Sequence, residues 1–392
     1  MKSKKILFIT NIAGKKINTF SLASIGVSSK NDLEFHIAGN FKNSSKEQQR
    51  KDEEKYKIKI HQIDFERNPL HPKNLIAFKQ LIELMKKEKF DIVHCNTPVG
   101  GVYGRIAAKI CGMKKVIYQA HGFHFYRGSS KLNWLVYYPI EKMLAHLTDA
   151  LVTINFEDYN ISKKFKLRNG GKSYYVPGVG IDGKIYKNIK FDKEIFKEKL
   201  GLKKTDIICI SMGDLILRKN YKTAIEAISK TNNKNIHYLI CGKGPEEENL
   251  KKLSRMLNVE DQIHFLGFRS DVKELLRISD IFLFTTLQEG MPRSMMEAMA
   301  SGLPCVSSKI RGNVDLIENG KGGFLINPTD TEEFSKKINL LVNNFGLREK
   351  MKNYNFERIK SFDIRIVEKE LEKIYKKVLG EYIKNEKKYI NV

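Results

Sequence analysis

Residues 281–308 read IFLFTTLQEGMPRSMMEAMASGLPCVSS, and the fold turns on how they are parsed. IFLFTT (281–286) and PCVSS (304–308) are short apolar runs of strand length. Between them, RSMMEAMAS (293–301) has the composition and spacing of a helix. Strand, helix and strand in succession, with apolar rather than alternating strands, are the unit of a parallel sheet covered on both faces.

The same alternation extends outward. IICISMG, HYLICG and IHFLGF precede this stretch as further strands, separated by YKTAIEAISK, EEENLKKLSRML and DVKELLRIS as helices. An earlier series, KILFIT, EFHIAG, IKIHQI, DIVHCN and KVIYQA, alternates with helices such as NLIAFKQLIELMKKEKF. Two series predict an α/β protein of two doubly wound, Rossmann-like domains, consistent with 392 residues being too many for one core. Pro177, Gly178, Gly180 and Gly183 punctuate the join. The expected domains are therefore 1–183 and 184–392, with a terminal helix near 360–385 crossing back to the first and a Lys-rich tail that frays. Open parallel sheets place ligands beyond the carboxyl ends of their strands, so a cleft between facing sheets is the expected site.

Composition narrows the classes. Hydrophobic residues at 41%, with 22 Phe and 16 Tyr, exclude global disorder. No apolar run reaches the roughly 18 residues of a spanning helix, and MKSKKILFIT reads as a strand rather than a signal peptide. Five scattered cysteines without a Cys-x-x-Cys pair suit a reducing cytoplasm. The net charge of +25 attracts polyanions, whether nucleic acid, anionic lipid or phosphorylated substrates, or it reflects only a lysine-rich surface.

The loop LQEGMPR carries the chemistry. Pro292 suits the first helical position. Gly290 permits close backbone approach, and the N–H groups around Met291, Arg293 and Ser294 form an anion site at a helix N-terminus. Glu289 stands before that site and Glu297 about one turn into the helix. Carboxylates flanking a diphosphate would repel it if aimed at it, so they are expected to accept sugar and ribose hydroxyls.

Glu289 to Glu297 resembles the Glu-x7-Glu motif of retaining glycosyltransferases of family 4, which have the GT-B fold. HCNTPVGGVYGRIAAK, YQAHGFHFYRG, YYVPGVGID, FLGFRSDV and IRGNVDLIENGKGGFL are similar in order to its exopolysaccharide and capsule branch, over roughly residues 5–375. The resemblance implies that Glu289 contacts donor-sugar hydroxyls, Glu297 the ribose, and residues 290–294 the phosphates. It implies that His121 lies near the transferring sugar and that Lys219 neutralises the leaving diphosphate. Many relatives carry Arg after the glycine of that loop; here Gly213 precedes Asp214, and Arg218 either compensates or is simply exposed. Gly242, Lys243 and Gly244 look like a loop under the nucleotide. Phe268 and Arg269 resemble the segment reading the base edge, with Arg269 available to stack. On the acceptor side stand Gly14, His124 and Tyr126. His121 and His124, three apart, suggest a metal pair without a third ligand; the resemblance implies neither metal nor other cofactor.

The implied activity is transfer of a hexosyl group, with retention, from a UDP-sugar to a polyprenyl-diphosphate-linked saccharide in bacterial surface polysaccharide synthesis. GFHFYRGSSKLNWLVYYPIEKM interleaves aromatics with Arg127, Lys131 and Lys142. It is either a buried aromatic helix or a face that docks a cytoplasmic enzyme peripherally on anionic membrane. The alternatives are a glycosyltransferase using a small soluble acceptor and a basic nucleic-acid-binding protein, although no binding motif or basic stripe appears. A nicotinamide-dependent enzyme would need Gly-x-Gly-x-x-Gly after the first strand, which TNIAGKKINT lacks.

Overall fold

The structure is a computed structural model and describes residues 3–17 and 19–380. The chain divides into two compact units between Gly180 and Ile181, and returns to the first between Asp363 and Ile364. In the first unit β1 (Lys5–Ile12), β2 (Glu34–Asn40), β3 (Ile58–Gln62), β4 (Ile92–Asn96), β5 (Val116–Ala120), β6 (Ala150–Thr153) and β7 (Lys172–Tyr175) form a parallel sheet. Its order is β3-β2-β1-β4-β5-β6-β7. In the second, β8 (Ile207–Met212), β9 (Ile236–Cys241), β10 (Ile263–Gly267), β11 (Ile281–Phe284), β12 (Cys305–Ser308) and β13 (Gly323–Ile326) pair in parallel as β10-β9-β8-β11-β12-β13. Each order reverses once, between β1 and β4 and between β8 and β11. Those reversals open the crevices in which doubly wound sheets bind ligands.

Both faces of the first sheet are buried, which explains its unbroken apolar strands. Leu7 and Ile9 enter one core cluster while Ile6 and Phe8 enter the other, following the two-residue period of a strand. The helix Pro98–Ile110 sits very close to the sheet. A Cβ on Gly101 would stand 2.4 Å from Tyr118 Cε2, and one on Gly104 2.6 Å from Cys95 Sγ. Deeper on that helix, Arg105 is fully buried. It donates to Gly101 O at 2.7 Å and Glu141 Oε2 at 2.8 Å and lies 3.8 Å from the Tyr118 ring centroid.

The terminal helix Ile364–Leu379 belongs to the first unit. Val367, Leu371, Ile374, Tyr375 and Val378 recur at three- and four-residue spacing and join the cluster of Ile6 and Phe8. Tyr375 Oη bonds buried His94 Nδ1 at 2.7 Å. The expected extension to 385 and the tail lie outside the described residues. The second unit begins and ends side by side, where Ile181 N donates to Phe362 O at 3.1 Å.

The structure adds β6, β7 and β13 to the strands read from sequence. Each is four residues long, too short to show a period, and β7 and β13 are sheet edges. All five cysteines are free thiols. Among the described residues no helix is long and apolar enough to cross a membrane.

Candidate functional site

In the second unit, the expected donor residues gather at the carboxyl ends of β8 and β11. Glu289 Oε1 accepts from Lys219 Nζ at 2.7 Å, Thr286 Oγ1 at 3.0 Å and Arg218 NH1 at 3.2 Å. Arg218 also donates to Gln288 O at 2.5 Å. Arg218 is therefore attached to the loop of Glu289, although 41% of its side chain remains exposed. With three donors on Oε1, Glu289 keeps Oε2 for another hydroxyl. Lys219 keeps two of its three ammonium protons.

Gly213 makes room for that lysine: a Cβ there would meet Lys219 Cε at 3.3 Å. The loops after β8 and β9 interlock just as closely. A Cβ on Gly242 would stand 1.9 Å from Gly213 O, and one on Gly244 2.3 Å from Leu215 O. Lys243 ties them through its carbonyl, which accepts from Leu215 N at 3.0 Å. Both glycines are thus required for loop-to-loop packing, whatever lies over them.

The helix Arg293–Ala300 starts one residue later than expected. Pro292, at φ −76° and ψ 116°, is extended and serves as the N-cap instead of the first helical residue. Its ring still cannot compete for a hydrogen bond, and the N–H groups of Arg293, Ser294 and Met295 open the helix without intrahelical partners. Gly290 and Met291 lead into this end, pinned from β12's side by Arg311, whose Nε donates to Glu289 O at 3.0 Å. Glu297 Oε1 accepts from Tyr186 Oη and from Arg293 Nε, both at 2.9 Å, leaving Oε2. Burial, and then the Glu297 carboxylate, raise the Tyr186 phenol, which keeps it a donor.

Asp271 accepts from Arg269 Nε at 2.8 Å and NH2 at 2.5 Å, a pairing along the guanidinium edge that leaves the faces for the expected stacking. Adjacent Phe268 is 82% exposed.

In the first unit the corresponding strand ends hold His121. With the Asn96 carboxamide oxygen assigned toward the ring, His121 Nε2 donates to it at 2.9 Å, and Phe20 packs edge-on at 4.6 Å. Desolvation pushes the imidazole down to about 4, so it is neutral at pH 7. Among the described residues its Nδ1, Asn96 Nδ2 and Asn11 Oδ1 are buried polar atoms without partners. Beside them Thr97 holds φ 64° and ψ 158°, a region costly for a β-branched residue. Unpaired polar atoms and local strain at a sheet's crevice mark a ligand site. Sequence reading found His121 but missed Asn11, Asn96 and Thr97, as it missed Tyr186, Thr286 and Arg311 in the second unit.

His124 does not join His121. It stacks on Tyr137 at 4.6 Å and lines an apolar cavity of about 310 Å³ with Tyr103, Phe125, Val136 and Ile140. Among the described residues no three His, Cys, Asp or Glu side chains form a metal-binding group. Tyr126 holds the same loop through its backbone: its N–H donates to Ser129 Oγ at 3.1 Å, and its carbonyl accepts from Trp134 Nε1 at 3.3 Å. Gly14 lies in a loop where, among the described residues, a Cβ would meet only Lys16 O at 3.9 Å. The aromatic segment divides. Phe123 and Phe125 are core, whereas Leu132, Leu135, Ile140 and Met143 present an exposed apolar stripe on the helix Lys131–Ala145.

Comparison with known proteins identifies the family. Residues 5–155 match the family described as glycosyl transferase 4-like, and residues 192–358 match glycosyl transferases group 1. The chain is 35% identical over 294 residues to EpsD of Bacillus subtilis (strain 168), covering 74% of this chain and 77% of that one. It is 32% identical over 298 residues to the UDP-Gal:alpha-D-GlcNAc-diphosphoundecaprenol alpha-1,3-galactosyltransferase of Escherichia coli, covering 74% and 76%. Anabaena Alr3699/HepE, crystallised with UDP-glucose, superposes with a TM-score of 0.78 at 19% identity over 95% of this chain and 99% of that one, a likeness of fold. Two parallel doubly wound units, the Glu289–Glu297 loop and these relatives together make the chain a GT-B glycosyltransferase of family 4.

Proposed function

We propose that this enzyme transfers a hexosyl group, with retention, from a UDP-sugar to a polyprenyl-diphosphate-linked saccharide in bacterial surface polysaccharide synthesis. The observation that carries the reading is the convergence of Lys219, Arg218 and Thr286 on one oxygen of Glu289, next to a helix N-terminus at a sheet reversal. That arrangement supplies cationic and amide donors for a diphosphate and a carboxylate oxygen for sugar hydroxyls. Glu297 Oε2 serves the ribose in the same way, and Phe268 and Arg269 border the base.

In the reaction, the acceptor hydroxyl bonds to the anomeric carbon on the face the diphosphate leaves. The carbon–oxygen bond to the diphosphate breaks with its electron pair on the phosphate oxygen, which takes the acceptor's proton. Lys219 and the N–H groups of residues 293–295 stabilise that charge, the expected main contribution to rate. His121 offers Nδ1 to a sugar hydroxyl. None of these steps calls on a metal or other cofactor.

The names of two relatives support the acceptor class: the Escherichia coli enzyme above and a Campylobacter jejuni N,N'-diacetylbacillosaminyl-diphospho-undecaprenol alpha-1,3-N-acetylgalactosaminyltransferase. The UDP-glucose crystallised with HepE supports a UDP-sugar as donor. The exposed stripe of Leu132, Leu135 and Met143, with Lys131 and Lys142 on the same helix, supports peripheral contact with anionic membrane on the cytoplasmic side.

A panel of nucleotide sugars tests the donor through melting-temperature shift and slow hydrolysis. A UDP-sugar is expected to act, and inertness toward all of them would remove the reading. Product anomericity tests retention. Comparing undecaprenyl-diphosphate saccharides with water-soluble alcohols tests the acceptor, and preference for the alcohols would replace it with a small molecule. Flotation with vesicles tests the membrane face, where equal recovery on neutral and anionic lipid would remove the electrostatic part.

A further inference from the structure

At the other end of β11 from Glu289, the second unit holds a cavity of about 250 Å³. Asp280, just before β11, and Pro304, just before β12, form its floor. A four-residue strand spans about 13 Å, so this cavity is separate from the Lys219–Glu289 site. Five cationic side chains from three helices line it, Lys193, Lys197, Arg277, Arg348 and Lys352, against two carboxylates, Asp280 and Glu349.

Two carboxylates leave three of the five positive charges unbalanced. Glu349 is taken by Lys352 at 2.9 and 3.0 Å. Asp280 Oδ2 accepts from Ile208 N at 2.9 Å. Arg348 NH1 bonds the carbonyls of Leu341 and Val342 at 2.5 and 2.9 Å. Arg277 donates through NH1 to Ser301 O at 3.3 Å, but its buried Nε has no partner among the described residues. Among the described residues Lys193 has no ion-pair or hydrogen-bond partner. Its pKa is lowered by burial first, and then by Arg277, Lys352 and Lys197, against a smaller opposing pull from Asp280. Like charges forced together around an orphaned donor are stabilised by an anion that the donors share.

The geometry points to a second anion site here, which binds a phosphoryl group between Lys193 and Arg277. Its source is either free inorganic phosphate or the phosphate of a nucleotide, for which exposed Phe345 on the cavity wall provides a stacking face.

Calorimetric titration with inorganic phosphate and with UMP at constant ionic strength tests this on wild type, K193Q, K193Q/R277Q and K219A. Saturable phosphate binding is expected in wild type and in K219A, weakened at least about tenfold in K193Q/R277Q and by a smaller factor in K193Q. UMP that binds this site more tightly than phosphate assigns a nucleotide; equal affinity assigns the free ion. Phosphate binding unchanged in K193Q, or lost in K219A, overturns the site. Because Lys193 makes no hydrogen bond or ion pair among the described residues, K193Q keeps the test meaningful if the double variant misfolds. A tungstate soak that leaves the cavity without an anomalous peak would overturn it independently.

Discussion

Glu289 and Glu297 share a design in which the protein holds one carboxylate oxygen and the other is the one proposed to take a ligand hydroxyl. The holding matters because a carboxylate fixed by its neighbours loses little freedom on binding. Replacing Lys219 by Ala removes the cation proposed to face the diphosphate, and replacing Glu297 by Ala removes the proposed ribose acceptor. Each is expected to lower turnover at least about tenfold, equivalent to about 1.4 kcal/mol. Near-normal rates for both variants would remove the site assignment. These residues were legible because the EGMPRSMME run keeps its loop and helix together. Tyr186, 111 residues from Glu297, carries no local signal of its role.

Histidine burial gives a second expectation. His121 and His61 are pushed down to about 4 and His94 to about 3, all chiefly by desolvation. Folded-state values below the ordinary 6.5 mean that the unfolded chain binds protons first as pH falls. Their contribution is therefore fully present above about pH 6.5 and drains away as pH drops toward 4 and 3. Melting temperature measured from pH 7.5 to 4 should decline through that window. A flat profile would show these rings to be more solvated than their surroundings indicate.

The helix Pro98–Ile110 shows why propensity misleads at the scale of an element. Gly100, Gly101 and Gly104 each cost about 1 kcal/mol against alanine in an isolated helix. Here Gly101 and Gly104 bring the helix against Tyr118 and Cys95. Gly101→Ala is expected to destabilise by about 1–3 kcal/mol through overpacking, despite its better propensity. Urea denaturation checks the sign, and a more stable variant would mean that Tyr118 yields freely. PVGGVYGRIAAK entered the sequence reading only as a segment of the family resemblance, and neither its helix nor what each glycine meets was read from it. The edge strands β7 and β13 escaped notice for a related reason, since four residues at an edge take their conformation from the neighbouring strand.

Across the whole molecule, the chain leaves the first unit at Gly180 and re-enters it at Ile364, so the first unit is completed only by the last helix. Tyr375 is 1% exposed, packs in the cluster of Ile6 and Phe8, and bonds His94. Tyr375→Ala should cost about 3–5 kcal/mol and lower the first unit's unfolding transition in calorimetry. The second unit's transition should not move, because its core lies between Ile181 and Asp363. A shift of both would mean that the units unfold as one.

Sequence pattern alone determined the two parallel sheets and the loop-and-helix setting of the glutamate pair, while Lys219 was named only by the family resemblance. Apolar period and strand–loop–helix order are local properties, written within some thirty consecutive residues. Only the tertiary structure decided that Arg269 pairs with Asp271, that Tyr186 and Thr286 serve the two glutamates, and that Asn11 and Asn96 flank His121 with unpaired atoms. It also gathered five cations at the amino end of β11. Such arrangements depend on which strands become neighbours. That choice is made by burial across the sheet, over separations at which no residue constrains another along the chain.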